Sequence, residues 1–265
     1  MSYFSDLTID LTGRNIAIFG ASGQLGSALT LGMVESGATV LAVARDEGKL
    51  ANLKNRAIEM TGELVYAVSD IHNYSNIQKA VQDFQGDFGP ISGCVNNAYQ
   101  SIGSPKFLNS DPEDVSNSLK YLTSVIMNTQ FIGQQMILTK TAGSIVNISS
   151  MYALVSPKPY VYEGMPEFGN PPVYGAIKAG INQFTRYAAV HLAPSKIRVN
   201  SISPGAFPSQ TDDKKDFISR LEKEIPLGRI GSPQELVSSL AFLLSNSSSY
   251  ITGTNLVIDG GWTAW

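Results

Sequence analysis

A tyrosine and a lysine four residues apart, Tyr174 and Lys178 in "VYGAIKAG", follow directly on the pair Pro171 and Pro172. On a helix, residues i and i+4 share one face. A phenol with an ordinary pKa of about 10 exchanges its proton poorly near neutrality, and a fixed positive charge beside it favours the phenolate. The pair can therefore do acid and base chemistry on an oxygen, although the same spacing also suits the plain surface of an amphipathic helix. A second candidate lies near the start of the chain, where "GASGQLGSAL" sets Gly20, Gly23 and Gly26 between an apolar run and a helical pattern. Glycines at a strand-to-helix turn let the backbone approach a pyrophosphate, which then meets the N–H groups and the positive dipole end of the helix. Ser22, Gln24 and Leu25 belong to the same turn. The next apolar run ends in "AVARDEGKL". In such folds an acidic residue at this point grips the ribose 2′-hydroxyl of NAD, while an arginine accommodates the extra phosphate of NADP. Here Arg45 follows Ala44 at that position, which favours NADP(H) through a charge-assisted contact. Asp46 next to it keeps NAD(H) open.

These groups need elements to hold them. Seven short runs rich in β-branched residues, at 15–20, 39–44, 63–68, 91–96, 144–149, 197–202 and 255–260, lack polar alternation. Strands covered on both faces of a parallel sheet read in this way. Stretches of helical length lie between them, among them 24–35, 112–140, 174–192 and 233–244. The alternation predicts an α/β fold: a Rossmann-like, doubly wound, seven-stranded parallel sheet in three α/β/α layers, with residues 1–265 forming a single domain. No internal repeat or linker divides the chain. One segment breaks the pattern. "SPKPYVYEGMPEFGNPP" at 156–172, rich in proline, glycine and aromatic rings, reads as a long functional loop.

Composition narrows the partners. The chain has 265 residues, 43% hydrophobic and 15% charged, and its 19 basic against 22 acidic residues give a net charge of −3. No basic field is present to hold nucleic acid or an anionic membrane, so small molecules are the expected partners. The single cysteine, Cys94, excludes an internal disulfide and fits a reducing cytoplasm. No apolar run reaches the roughly 20 residues needed to cross a bilayer, and the N-terminal "MSYFSDLTIDLTGRN" lacks the apolar core of a signal peptide. A cytoplasmic location is therefore expected. His72 and His191 have no partners at metal-ligand spacing, and no metal is assigned.

Taken together, these motifs resemble the short-chain dehydrogenase/reductase family from Gly13 to Gly261. The pieces come in order: "GASGQLG", "VSDIHN" with Asp70 and Ile71, "NNAY" with Asn97 and Ala98, "IVNISS" with Ser150, "YGAIK", and "IRVNSISPG" with Pro204 and Gly205. The resemblance implies that Tyr174 is the general acid or base, that Ser150 hydrogen-bonds the same substrate oxygen, and that Lys178 holds the nicotinamide ribose and lowers the tyrosine pKa. It places Asp70 against adenine. Pro204, Gly205, Ala206, Phe207 and Ser209 are expected beside the nicotinamide. The implied activity is interconversion of a secondary alcohol and a ketone by hydride transfer.

Three residues depart from the family pattern. Gln24 stands where the second glycine is usual, with Gly23 giving the GxxGxxG spacing of a longer, epimerase-like branch. Tyr99 replaces a glycine. Tyr121 stands where an asparagine usually binds a water of the proton relay, and Asn128 is the alternative under another alignment. The family has far fewer residues between Ser150 and Tyr174, so 156–172 reads as an insertion over the substrate pocket. Its Lys158, Tyr160, Tyr162 and Glu163 suit a sugar or another polar hydroxylated substrate, and the segment resembles family members of surface-glycan and nonulosonate pathways. Residues 205–223, with Lys214 and Lys215, resemble the substrate-covering loop and helix. The resemblance also implies a homo-oligomer, a tetramer or a dimer, with Trp262 and Trp265 as anchors. Two other readings stay open: a catalytically idle dinucleotide-binding regulator, and an epimerase or dehydratase that oxidises its substrate transiently.

Overall fold

A computed structural model describes residues 9–164, 169–209 and 214–265. Seven strands, β1 (Asn15–Phe19), β2 (Thr39–Ala44), β3 (Glu63–Val68), β4 (Gly93–Asn96), β5 (Gly143–Ile148), β6 (Ile197–Pro204) and β7 (Asn255–Ile258), form one sheet in the order β3-β2-β1-β4-β5-β6-β7. Every neighbouring pair is parallel. The helices are α1 (Gln24–Glu35), α2 (Glu47–Arg56), α3 (Tyr74–Phe88), α4 (Pro112–Leu138), α5 (Pro172–Leu192), α6 (Lys215–Glu224) and α7 (Val237–Leu244). The expected Rossmann-like, doubly wound sheet is the observed one.

Two-sided burial explains the apolar strands. One core layer joins Leu29 and Met33 of α1 and Leu50 of α2 to Leu240 and Leu244 of α7. The opposite layer joins Ile77, Val81 and Phe84 of α3 to Ile132 and Met136 of α4. The central strands β4 and β5 are buried throughout. Strand order reverses between β1 and β4, and in open α/β sheets ligands bind beyond the strand C-termini at that switch. A third cluster, including Tyr152, Val161, Phe217, Leu221 and Trp262, packs the 156–164 segment against α6 and the C-terminus.

Element ends differ from the sequence reading in instructive ways. The helix expected from residue 174 begins at Pro172, a residue whose missing N–H costs nothing in the first turn. Tyr174 is thus the third residue of α5. The stretch expected as one helix at 233–244 is a 3₁₀ turn, Pro233–Leu236, followed by α7. Ser232 and Glu235 close a reciprocal capping box on the turn. β4 starts two residues later than its apolar run. The 156–172 segment, expected to be irregular, holds a 3₁₀ turn at Pro159–Tyr162.

Candidate active site

The turn after β1 opens a cleft of about 850 Å³ along the strand C-termini. Its glycines divide the work. Gly20 has φ +81, and a Cβ there would stand 2.6 Å from the Ala98 backbone. A Cβ on Gly26 would stand 2.0 Å from the Gly20 carbonyl oxygen, so this glycine is a packing requirement. Gly23 is different: a Cβ there would meet only the Gly20 carbonyl, at an ordinary 3.7 Å. Gly23 is also the N-cap of α1, with no side-chain cap and no acidic residue in the first turn. Ser22, Gly23, Gln24 and Leu25 line the cleft. Unclaimed N–H groups and a positive helix end suit a pyrophosphate. Gln24, the departure from the usual glycine, donates through Nε2 to the Phe207 carbonyl at 2.9 Å and ties the turn to the far wall. Asn97 donates to the Gly20 carbonyl at 2.9 Å.

At the β2 end of the cleft, Arg45 donates to Gln100 Oε1 at 2.8 Å and lies 3.9 Å from the Asp70 carboxylate. Asp46 caps α2 from the cleft wall, its Oδ1 accepting the Lys49 N–H at 3.0 Å and its Oδ2 lying 3.5 Å from the Lys49 ammonium. Arg45 and Lys49 line this end together with Asp46, Asp70 and Ile71.

At the other end, Ser150, Tyr174 and Lys178 line the cleft together with Pro204, Gly205 and Phe207. Lys178 is 4% exposed, and its Nζ donates to the Ile148 carbonyl at 2.9 Å. Burial pulls its pKa down to about 7. Ser150 accepts the Tyr152 N–H at 3.1 Å, capping a 3₁₀ turn at Met151–Ala153. Its hydroxyl also acts on the Tyr174 phenol, favouring the ionised form. Burial raises the Tyr174 pKa more than Ser150 lowers it. The resemblance implied a tyrosine lowered by its lysine, and the structure corrects this. Lys178 Nζ lies 5.7 Å from the Tyr174 ring centre, and burial is the largest influence on both groups.

Tyr99 and Tyr121 shape the floor between the two ends. The Tyr99 ring meets Tyr174 edge-on at 4.9 Å and Tyr121 at 5.1 Å, and Lys178 Nζ lies 5.0 Å from its centre. The buried Tyr99 hydroxyl has no hydrogen-bond partner among the described residues, and burial pushes its pKa upward. Tyr121 packs on His72 at 4.9 Å and lines the cleft. Asn128, the alternative relay residue, lies instead in a groove with Tyr74 and Ile77, between α3 and α4. Three expected cofactor contacts fall outside the cleft wall. Gly26 is buried under the turn, Ala206 belongs to the cluster under α6, and Ser209 accepts a hydrogen bond from Lys214 at 2.6 Å. Sequence reasoning missed Lys49 and Gln100 on the wall. Lys49 sits one turn beyond Arg45 and was open to discovery, whereas Gln100 carries no local signal.

A second cavity of about 790 Å³ adjoins Tyr174. Its walls include Phe107, Leu154, Pro159, Tyr152 and Tyr162. Long-range contacts hold the segment that forms it. Arg220 of α6 donates to the Val161 carbonyl at 2.9 Å and the Glu163 carbonyl at 2.8 Å. Lys158 pairs with Glu224, and its ammonium lies 5.5 Å from the Trp262 ring centre. Residues 165–168 of the insertion and 210–213 of the covering loop lie outside the described residues. No helix among the described residues is long and apolar enough to cross a membrane.

A doubly wound sheet with an uncapped helix end at one side of a cleft and a Ser, Tyr and Lys set at the other defines a dinucleotide-dependent oxidoreductase class. A profile of the family described as enoyl-(acyl carrier protein) reductase matches residues 20–263. The chain is 30% identical over 261 residues to 3beta-hydroxysteroid dehydrogenase 1 of Eggerthella lenta, covering 97% of this chain and 96% of that one. It is 33% identical over 258 residues to the 3-oxoacyl-[acyl-carrier-protein] reductase FabG of Thermotoga maritima, covering 95% and 98%. Among solved structures, a short-chain type dehydrogenase/reductase from Mycobacterium marinum superposes with a TM-score of 0.87 at 29% identity over the whole of both chains. A short chain dehydrogenase from Leptospira borgpetersenii with bound NAD+ gives 0.84 at 30% identity over 99% and 96%. A gluconate 5-dehydrogenase from Burkholderia cenocepacia in complex with NADP and tartrate gives 0.83 at 26% identity over 97% and 98%. The chain belongs to the short-chain dehydrogenase/reductase family. It is an NAD(P)-dependent oxidoreductase that interconverts alcohols and ketones, with a nicotinamide dinucleotide as cofactor and small molecules as substrates.

Proposed function

We propose that the chain reduces or forms a ketone on a small hydroxylated substrate, such as a sugar derivative, with NADP(H) as the preferred cofactor and Tyr174 as the acid and base. The observation that carries this reading is the convergence of Ser150, Tyr174 and Lys178 on the wall of a cleft whose other end is the uncapped N-terminus of α1. The bound dinucleotide supplies or accepts the hydride. Tyr174 supplies or accepts the proton at the substrate oxygen, since hydride transfer to carbon needs a matching proton on oxygen. Burial keeps the Tyr174 phenol in the protonated form that can donate to a carbonyl, as a weaker acid than a free phenol. Ser150 shares the hydrogen bond to that oxygen, and Lys178 holds the ribose side of the cleft.

NADP(H) is supported by Arg45 and Lys49 on the cleft wall and by the use of Asp46 as a helix cap. The hydroxylated substrate is supported by the phenols of Tyr152 and Tyr162 beside Tyr174. The Burkholderia relative at 26% identity is named for gluconate, a polyhydroxy acid. A homo-oligomer is supported by apolar side chains exposed on α4 and α5, including Met127, Ile137, Tyr187 and Val190. The test is a screen of keto-sugars and simple ketones, following NADPH and NADH absorbance. The reading expects turnover with NADPH preferred, and expects Arg45→Asp to shift the preference toward NADH by at least about tenfold. Equal use of both cofactors by parent and variant would remove the cofactor assignment. Turnover of simple ketones with none of any keto-sugar would remove the substrate class.

A further inference from the structure

Three phenols crowd the point where the two cavities meet. Tyr174 borders both, while Tyr152 and Tyr162 border the second. Tyr152 follows Ser150 by two residues and is 6% exposed. Its hydroxyl is 2.7 Å from the Tyr162 hydroxyl, and its ring centre is 6.5 Å from that of Tyr174. Tyr162 comes from the insertion, and its position is fixed from several sides. Its ring packs on Phe217 at 5.3 Å, and Arg220 holds the carbonyls of its two neighbours, Val161 and Glu163. A single hydrogen bond between two phenols commits one O–H proton and leaves the second without an acceptor among the described residues. A donor of this kind on a cavity wall beside a reacting site is free to bind a substrate oxygen.

We propose that the Tyr152–Tyr162 pair is the specificity element of this enzyme. It donates its uncommitted O–H to an oxygen on the carbon next to the one that exchanges hydride. This rests on the oxidoreductase reading above and narrows it: the preferred substrates are α-hydroxy ketones and vicinal diols. Hydroxyl groups placed side by side can engage one substrate together through oxygens on neighbouring carbons. Tyr174 and Ser150 take the reacting oxygen, and the pair takes the adjacent one. The carbon frame of the substrate then rests against Leu154, Pro159 and Phe107 in the second cavity.

The test compares 2-hydroxycyclohexanone with cyclohexanone as substrates for NADPH oxidation, in the parent and in Tyr162→Phe and Tyr152→Phe. The proposal expects the parent to prefer the hydroxy ketone in kcat/KM by at least about tenfold, the worth of one good hydrogen bond of about 1.4 kcal/mol. It expects Tyr162→Phe to reduce that ratio to about threefold or less. A parent with no preference, or a variant keeping the full ratio, overturns it. A binding measurement separates this from failure of the reaction assignment. The affinities of trans-1,2-cyclohexanediol and cyclohexanol for the NADPH complex are read from quenching of the cofactor fluorescence. A preference for the diol that vanishes in Tyr162→Phe supports the pair even if neither ketone is reduced. In that case only the oxidoreductase reading falls. Equal affinities in the parent overturn the pair whatever the turnover.

Discussion

The two ends of the cleft are built by different means. The dinucleotide end is made of backbone: a turn of glycines, an uncapped helix start, and a φ of +81 at Gly20. The substrate end is made of side chains reaching between segments far apart in sequence, such as Arg220 to the Val161 carbonyl and Lys158 to Glu224. The first tolerates almost no change of shape. The second leaves the reaction machinery in place while its walls can change. One end thus suits the pyrophosphate that NAD and NADP share, and the other a substrate that differs between relatives.

The sharpest way to break this contrast is inside the glycine turn itself. Gly26→Ala brings a methyl 2.0 Å from the Gly20 carbonyl, so it is expected to lower folding stability by about 3 kcal/mol or more in urea unfolding. Gly23→Ala, with room for its Cβ, is expected to unfold within about 1 kcal/mol of the parent while weakening NADPH binding by at least tenfold, read by fluorescence titration. Equal losses of stability in the two variants would dissolve the distinction between packing glycine and cradle glycine.

Next in size is the buried lysine. In the folded chain Lys178 titrates near 7, against an ordinary value near 10.5. Between those pH values the unfolded chain binds the proton that the folded chain has lost, so stability contributed through this group rises with pH from about 7 toward 10. Below pH 7 the folded protein carries a buried charge. Lys178→Met is therefore expected to raise stability by a few kcal/mol at pH 6, by a margin that shrinks toward pH 10, while abolishing turnover. A stability gain independent of pH, measured by thermal unfolding across that range without cofactor, would contradict the assignment.

The smallest effect is expected at the substrate end. Glu224→Gln removes the charge facing Lys158 in a partly exposed pair, where ion pairs contribute only about 0–1 kcal/mol. Stability should hardly move. KM for substrate should rise several-fold as the 156–164 segment loosens, with NADPH affinity unchanged, and steady-state kinetics beside a cofactor titration reads both. A change confined to cofactor affinity would mean that the two ends are not independently built.

The same contrast sets what was legible in the sequence. The sheet was legible because strands buried on both faces leave unbroken apolar runs, and the turn after β1 because a backbone cradle needs glycines at fixed local spacing. The Tyr and Lys pair was legible because one helical turn joins its members. What escaped depended on distance. That Asp46 is consumed as a helix cap, that Gln24 reaches Phe207 across 183 positions, and that Tyr152 meets Tyr162 are facts of tertiary packing. The pKa of Tyr174 also escaped. Pairing with a lysine argues for a lowered value, but desolvation is set by how deeply the fold buries both groups, and the deeper effect wins here.

The central claim is that Tyr174 moves the proton while the cleft holds the cofactor independently of it. Tyr174→Phe tests this most directly, through kcat and NADPH affinity measured on the same preparation. The account predicts a fall in kcat of about 10²–10⁴-fold with NADPH affinity within threefold of the parent. Turnover at the parent rate in Tyr174→Phe would contradict it.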